Sequence, residues 1–158
     1  MKHWMQFGLA AVFAAASLHA TTADALYRRT PGANCVPAFG SPVSYGPVQV
    51  VASSANVDLG CPLPEDDRLP KQNVTMVHVH GHNAGGTVFA QVCEQHWFDN
   101  TGVNCTSFFS SAVAEYGIFI DGANLSPVFS AGNAADTAGV FVVLPSTNST
   151  VRQIFQGN

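Results

Sequence analysis

Charge is what this sequence has least of. Asp, Glu, Lys and Arg together make up 10% of the chain, against about a quarter in an average soluble protein. Basic residues are the scarcest, with no run longer than Arg28–Arg29. A nucleic-acid binder displaces counterions with a dense cationic face, so this scarcity argues against that class of partner. Also missing is any C-x-x-C, and the cysteines stand 26, 32 and 12 residues apart, spacings that match no usual zinc module. There is no G-x-S-x-G, no glycine-rich phosphate loop and no EF-hand-like run of oxygen ligands. Nor is there an internal repeat or a linker that would divide the chain into two domains.

Long apolar runs are absent except at the start. Lys2 and His3 precede an apolar stretch from Trp4 to Ala16, which gives way to small and polar residues ending in Ala23-Asp24-Ala25. That layout predicts a secretory signal peptide over residues 1–25. The stretch is shorter than the roughly 20 residues of a membrane-spanning helix, so no membrane association is expected once it is removed. A single secreted or periplasmic domain over 26–158 follows, carrying five basic against nine acidic residues, 5 − 9 = −4.

All four cysteines fall in the exported part. An even count in an oxidising compartment predicts two disulfides. Of the three possible pairings, Cys35–Cys61 and Cys93–Cys105 close the shortest loops between neighbouring strands, and each would stabilise by about 2–4 kcal/mol, mostly through the unfolded chain.

No segment shows a helical period of useful length, and what remains is strand-like. Candidate strands are Val48–Ser53, Asn56–Cys61, Gln72–His82, Thr87–Cys93, Ala138–Pro145 and Thr150–Gln156, separated by Gly, Pro and Asn turns. In Ser111–Phe119 alanine and glutamate favour helix, but Gly117 and the β-branched and aromatic residues beyond favour strand. Extended, this segment places Val113, Glu115, Gly117 and Phe119 on one face and Tyr116, Ile118 and Ile120 on a core face. The run Asp121–Pro127 reads as a turn, and Pro62–Pro70 as an acidic surface loop that prolines keep out of any central strand. The expected fold is all-β, an antiparallel β-sandwich of jelly-roll or immunoglobulin-like type.

The chemistry concentrates in Val77–Asn83, "VHVHGHN". Period two puts His78, His80 and His82 on one face and Val77, Val79 and Gly81 on the other. Imidazoles two apart on a strand are about 6.5–7 Å apart at the backbone, close enough to converge on one ion with Zn–N distances of about 2.0–2.1 Å. His82 could join if Gly81 bends the chain. If Gly85–Gly86 reverses the chain into an antiparallel hairpin, Cys93 falls opposite His78 and His96 near Thr75, with Glu94 and Asp99 close by. The metal candidates are therefore His78, His80, His82 and His96, with copper or zinc as the ion; a plain solvent-facing strand calls for no cofactor.

The His78-Val79-His80 segment resembles the copper-binding H-x-H of copper/zinc superoxide dismutases, a resemblance that would make both histidines ligands. The cupin pattern also begins with H-x-H. Both families continue with a late histidine, and the cupins with a glutamate soon after the H-x-H; this chain has no histidine after His96 and no glutamate in "GHNAGGTVFAQ". Taken together, "GANC", "VDLGCPLPEDD", "VTMVHVHGH" and "VFAQVC" are similar to small secreted bacterial two-disulfide β-sandwich proteins of unassigned function. That resemblance implies a fold and a compartment and no reaction. The leading expectation is a non-enzymatic protein acting through surface or assembly contacts, by self-association or with another surface protein. The alternatives are a copper- or zinc-binding protein using His78 and His80, and a carbohydrate-binding module using Trp97 and nearby polar groups.

Overall fold

The structure, a computed structural model, describes residues 26–38, 41–95, 103–129 and 136–158. The expected signal peptide, His96, Trp97 and Asp99 lie outside the described residues. Twelve strands and one helix follow in chain order: β1 (Tyr27–Pro31), β2 (Val36–Pro37), β3 (Val43–Tyr45), β4 (Val50–Ala52), β5 (Val57–Pro62), β6 (Met76–His82), β7 (Val88–Gln95), β8 (Val103–Cys105), β9 (Phe109–Ser111), β10 (Glu115–Asp121), α1 (Gly122–Phe129), β11 (Thr137–Leu144) and β12 (Thr150–Gly157). They form two sheets that face one another as an antiparallel sandwich. The first runs β10-β6-β12-β4-β3, with β1 added to β12; the second runs β2-β5-β11-β7-β8, with β9 added to β7. Among the described residues no helix is long and apolar enough to cross a membrane.

Strict alternation explains the core. In β6 Val77 and Val79 are 0% exposed; so are Val88, Ala90 and Val92 in β7, and Val57 and Leu59 in β5. Each strand gives every second side chain to the space between the sheets, where sheets pack about 10 Å apart. Ser111–Phe119 is not one strand: Ser111 ends β9 in the second sheet and β10 begins at Glu115 in the first, with Tyr116, Ile118 and Ile120 buried. Disulfides join Cys35 to Cys61 within the core and Cys93 to Cys105, which are directly opposed on β7 and β8.

Further local expectations are corrected. Asp121–Pro127 is not a turn, because α1 begins there: Asp121 Oδ1 accepts the Asn124 backbone N–H at 3.1 Å, an N-cap, and Leu125, Val128 and Phe129 bury one face. The spacing Leu-x-x-Val-Phe carried that signal. Nor do β6 and β7 form a hairpin. Strand β6 is hydrogen-bonded to β10 on one side and β12 on the other, while β7 lies in the second sheet. The link between them crosses the sandwich, because both valine faces must reach the core from opposite sides. Asn83 organises that crossing, accepting the Gly85 N–H at 3.0 Å and donating to the Gly86 carbonyl at 2.8 Å. Gly86, at φ +83°, supplies the backbone conformation that a side chain would resist.

Gly81 does not bend the strand either. It stays within β6, paired with Tyr116 on β10 and with Val151 on β12 where β12 bulges, and the Tyr116 ring packs over it to donate its hydroxyl to the Thr150 carbonyl at 2.8 Å. A β-carbon at Gly81 would stand 1.9 Å from that carbonyl oxygen and 2.5 Å from the Tyr116 hydroxyl. Gly81→Ala is therefore expected to cost about 3 kcal/mol or more, read as a lower urea midpoint with an unchanged slope.

Candidate functional site

The double pairing of β6 surrounds the histidine tract with outward-facing residues from three other strands. His78 stands between Phe119 on β10 and Phe155 on β12, and beyond Phe155 comes Arg29 on β1. His80 stands between Gly117 and Gln153. His82 faces Glu115, and at the other end Gly157 lies beneath Tyr27. The valines between the histidines point into the core, so the outward imidazoles follow from period two alone.

His78 and His80 act as a unit. Their rings are 4.0 Å apart between centroids, and His80 Nε2 meets His78 Nδ1 at 3.1 Å, one ring donating and the other accepting. His78 sets its ring edge-on to Phe119 at 5.7 Å, and His80 does the same to Phe155 at 5.2 Å. The Arg29 guanidinium lies 5.0 Å from the centre of the Phe155 ring, at cation–π distance. Gly117 makes the pair possible, since a β-carbon there would come within 2.9 Å of His78 Nε2. Desolvation holds both imidazoles below their usual value, and for His78 the neighbouring His80 charge adds to it.

His82 belongs to a different group. Its Nδ1 is 2.9 Å from Glu115 Oε1, and Arg152 reaches across β6 to bind Glu115 Oε2. Arg152 can cross because a bulge shifts the register of β12 between Val151 and Gln153. The hydrogen bond from His82, and next the one from Arg152, hold the Glu115 carboxyl below its usual range. A shallow depression of about 260 Å³ lies between the two groups, lined by His78, His80, Gly81, Glu115, Tyr116, Gly117 and Arg152.

The structure describes three of the four predicted metal candidates. His78 and His80 converge, His82 is turned to a carboxylate, and His96 lies outside the described residues. The hairpin register that would carry His96 toward Thr75 does not form: Cys93 opposes Cys105 and Gly139 in the second sheet. Glu94 points into the core at 0% exposure. Among the described residues no group of three His, Cys, Asp or Glu is placed to hold one ion. Sequence reasoning had put Glu115, Gly117 and Phe119 on one face but lacked the pairing that sets them beside the histidines. It did not single out Phe155, Arg29 or Arg152.

A second, larger depression of about 480 Å³ lies on the outward face of the second sheet, over Gly60 and Gly139, with Val36, Pro62 and Phe141 among its lining residues. Among the described residues no charged side chain lines it.

The imidazole pair ties stability to pH. With folded values below 6.5, the unfolded chain binds protons that the folded pair resists, so the pair's contribution is full above pH 6.5 and declines as pH falls below it. Glu115 and Asp66, whose values are also lowered, start to lose their contributions only below their own usual values of 4.5 and 3.8. Thermal unfolding is therefore expected a few degrees lower at pH 5.5 than at pH 7.5. In a His78→Gln/His80→Gln variant the difference shrinks.

No family model matches the chain, and no curated protein matches it. Among solved structures it is similar to a low-affinity xylan-binding module from the gut symbiont Roseburia intestinalis, at 8% identity and a TM-score of 0.49, over 83% of this chain and 94% of that one. It is also similar to a structure of carbohydrate-binding modules from the β-sandwich superfamily, at 8% identity and a TM-score of 0.37, over 86% of this chain and 56% of that one.

Proposed function

We propose that this protein is a non-catalytic recognition module that binds saccharide on the outward face of the first sheet. The carrying observation is that one sheet face presents Tyr27, Phe119 and Phe155 around the imidazole pair, with Arg29, Gln153 and the Arg152–Glu115 ion pair beside them. A sugar ring offers an apolar C–H face and a polar hydroxyl edge, and this surface carries matching groups for both. Tyr27 is 54% exposed and Phe119 50% exposed, so each keeps a free ring surface for stacking. His78 and His80 hydrogen-bond to each other and His82 to Glu115, an arrangement for holding a surface shape more than for activating a nucleophile. The two disulfides suit an oxidising compartment outside the cytosol.

An open face without a deep pocket implies weak binding, in the range of about 10 μM to 1 mM. Phe119→Ala is expected to weaken saccharide binding about tenfold, about 1.4 kcal/mol, measured by calorimetry on hits from a glycan array. An array without hits, or hits indifferent to both Phe119→Ala and Phe155→Ala, would sink the proposal.

A second function rests on the nitrogen pair. His78 Nδ1 and His80 Nε2 are 3.1 Å apart, close to the roughly 3.3 Å that two nitrogens span on a tetrahedral ion with bonds of about 2.0–2.1 Å. A small opening of the rings would admit copper or zinc, with water completing the shell. Elemental analysis of tag-free protein after loading is expected to find one equivalent, lost in His78→Ala/His80→Ala. Equal metal in wild type and variant rejects this site.

A further inference from the structure

Where the acidic loop returns to the core, the chain makes a 3-10 turn over Lys71–Asn73, and Lys71 enters the interior with 1% of its surface exposed. Its Nζ lies 2.5 Å from Oε1 of Glu94, which points inward from β7 at 0% exposure. The same nitrogen donates to the main-chain carbonyl of Asp136 at 2.9 Å, and Asp136 is itself 2% exposed. Three ionisable residues are thus drawn together in a core that is otherwise mostly aliphatic. Buried ions are tolerated when hydrogen bonds satisfy them.

Glu94 does not have that satisfaction. Among the described residues neither of its oxygens accepts a hydrogen bond of ordinary geometry, although the lysine nitrogen stands 2.5 Å from one of them. The contact sets Nζ directly beside the Glu94 carboxyl group, with both residues out of water.

We propose that Lys71 and Glu94 condense into an intramolecular amide, a covalent link between the turn at Lys71–Asn73 and strand β7. Proton transfer within the pair gives an amine and a carboxylic acid with no change in net charge. The Nζ lone pair attacks Cδ, the N–C bond forms, the C–OH bond breaks, and the hydroxyl leaves as water with a proton from nitrogen. Nothing is oxidised or reduced, and no second reactant is needed. The Asp136 carbonyl, which accepts from Nζ, holds the N–H that remains. The product replaces two buried charges with one neutral group and adds a third covalent tie to the two disulfides.

Intact mass spectrometry of the purified full chain, reduced and denatured, tests the link. The wild type is expected to be lighter by one water, and its digest to contain one branched peptide joining Lys71 to Glu94. Lys71→Met and Glu94→Ala should each recover the full mass. A wild type of full mass, with Lys71 and Glu94 in separate linear peptides, overturns the proposal, as does a water loss mapped elsewhere. Because the wild-type measurement decides, a variant that fails to fold leaves the test intact.

Discussion

Strand β6 is hydrogen-bonded along both edges, to β10 and to β12, and nearly everything on the first sheet depends on that. With both edges occupied the strand cannot slip by one residue, since a slip would carry Val77 and Val79 to solvent and three imidazoles into the core. Burying ionisable rings there would forfeit their hydration with no described partner to replace it. The outward row of histidines is therefore held by the inward row of valines. Phe119, Phe155, Glu115 and Gln153 are placed by the same registers.

Two glycines make that arrangement sterically possible, on opposite faces of the sheet. Gly81 leaves room inside for the Tyr116 ring and its hydrogen bond to Thr150. Gly117, outside, leaves room for the His78 and His80 rings to lean together. Burial raises the Tyr116 hydroxyl well above its usual value, keeping it a neutral donor. Core packing and site geometry thus meet in the one strand pair, β6 and β10.

Scarce charge is spent in few places. Arg28 pairs with Asp66 at the acidic loop, and Arg152 and His82 with Glu115 on the sheet face. These pairs are exposed enough that solvent screening leaves each worth little to stability. Their effect is on shape: the Arg152 bridge spans β6 and defines one wall of the depression beside the imidazoles. Lys71 and Glu94 are the contrasting case, a pair taken wholly out of water.

How much of this was legible depended on range along the chain. A continuous apolar run marked the strand around Val140; period-two patterning marked those around Val57, His78 and Ile154, and it assigned inward and outward faces without any neighbour, because side-chain alternation is a property of one strand alone. It also marked a sandwich of short strands, through the Gly, Pro and Asn turns. What it could not name was the partner. Gly85–Gly86 looked like a hairpin reversal because nearness in sequence is the usual guide, yet Asn83 shapes that segment into a crossing between sheets. The edge of β6 offers the same N–H and C=O groups to any strand, so only packing of Ile118, Ile154 and the valines into one core selects β10 and β12. Sequence by itself determined that the protein is a β-sandwich with three histidines facing out. Tertiary structure alone decided what stands beside them, because backbone hydrogen bonds are indifferent to identity and the shape of the shared core is not.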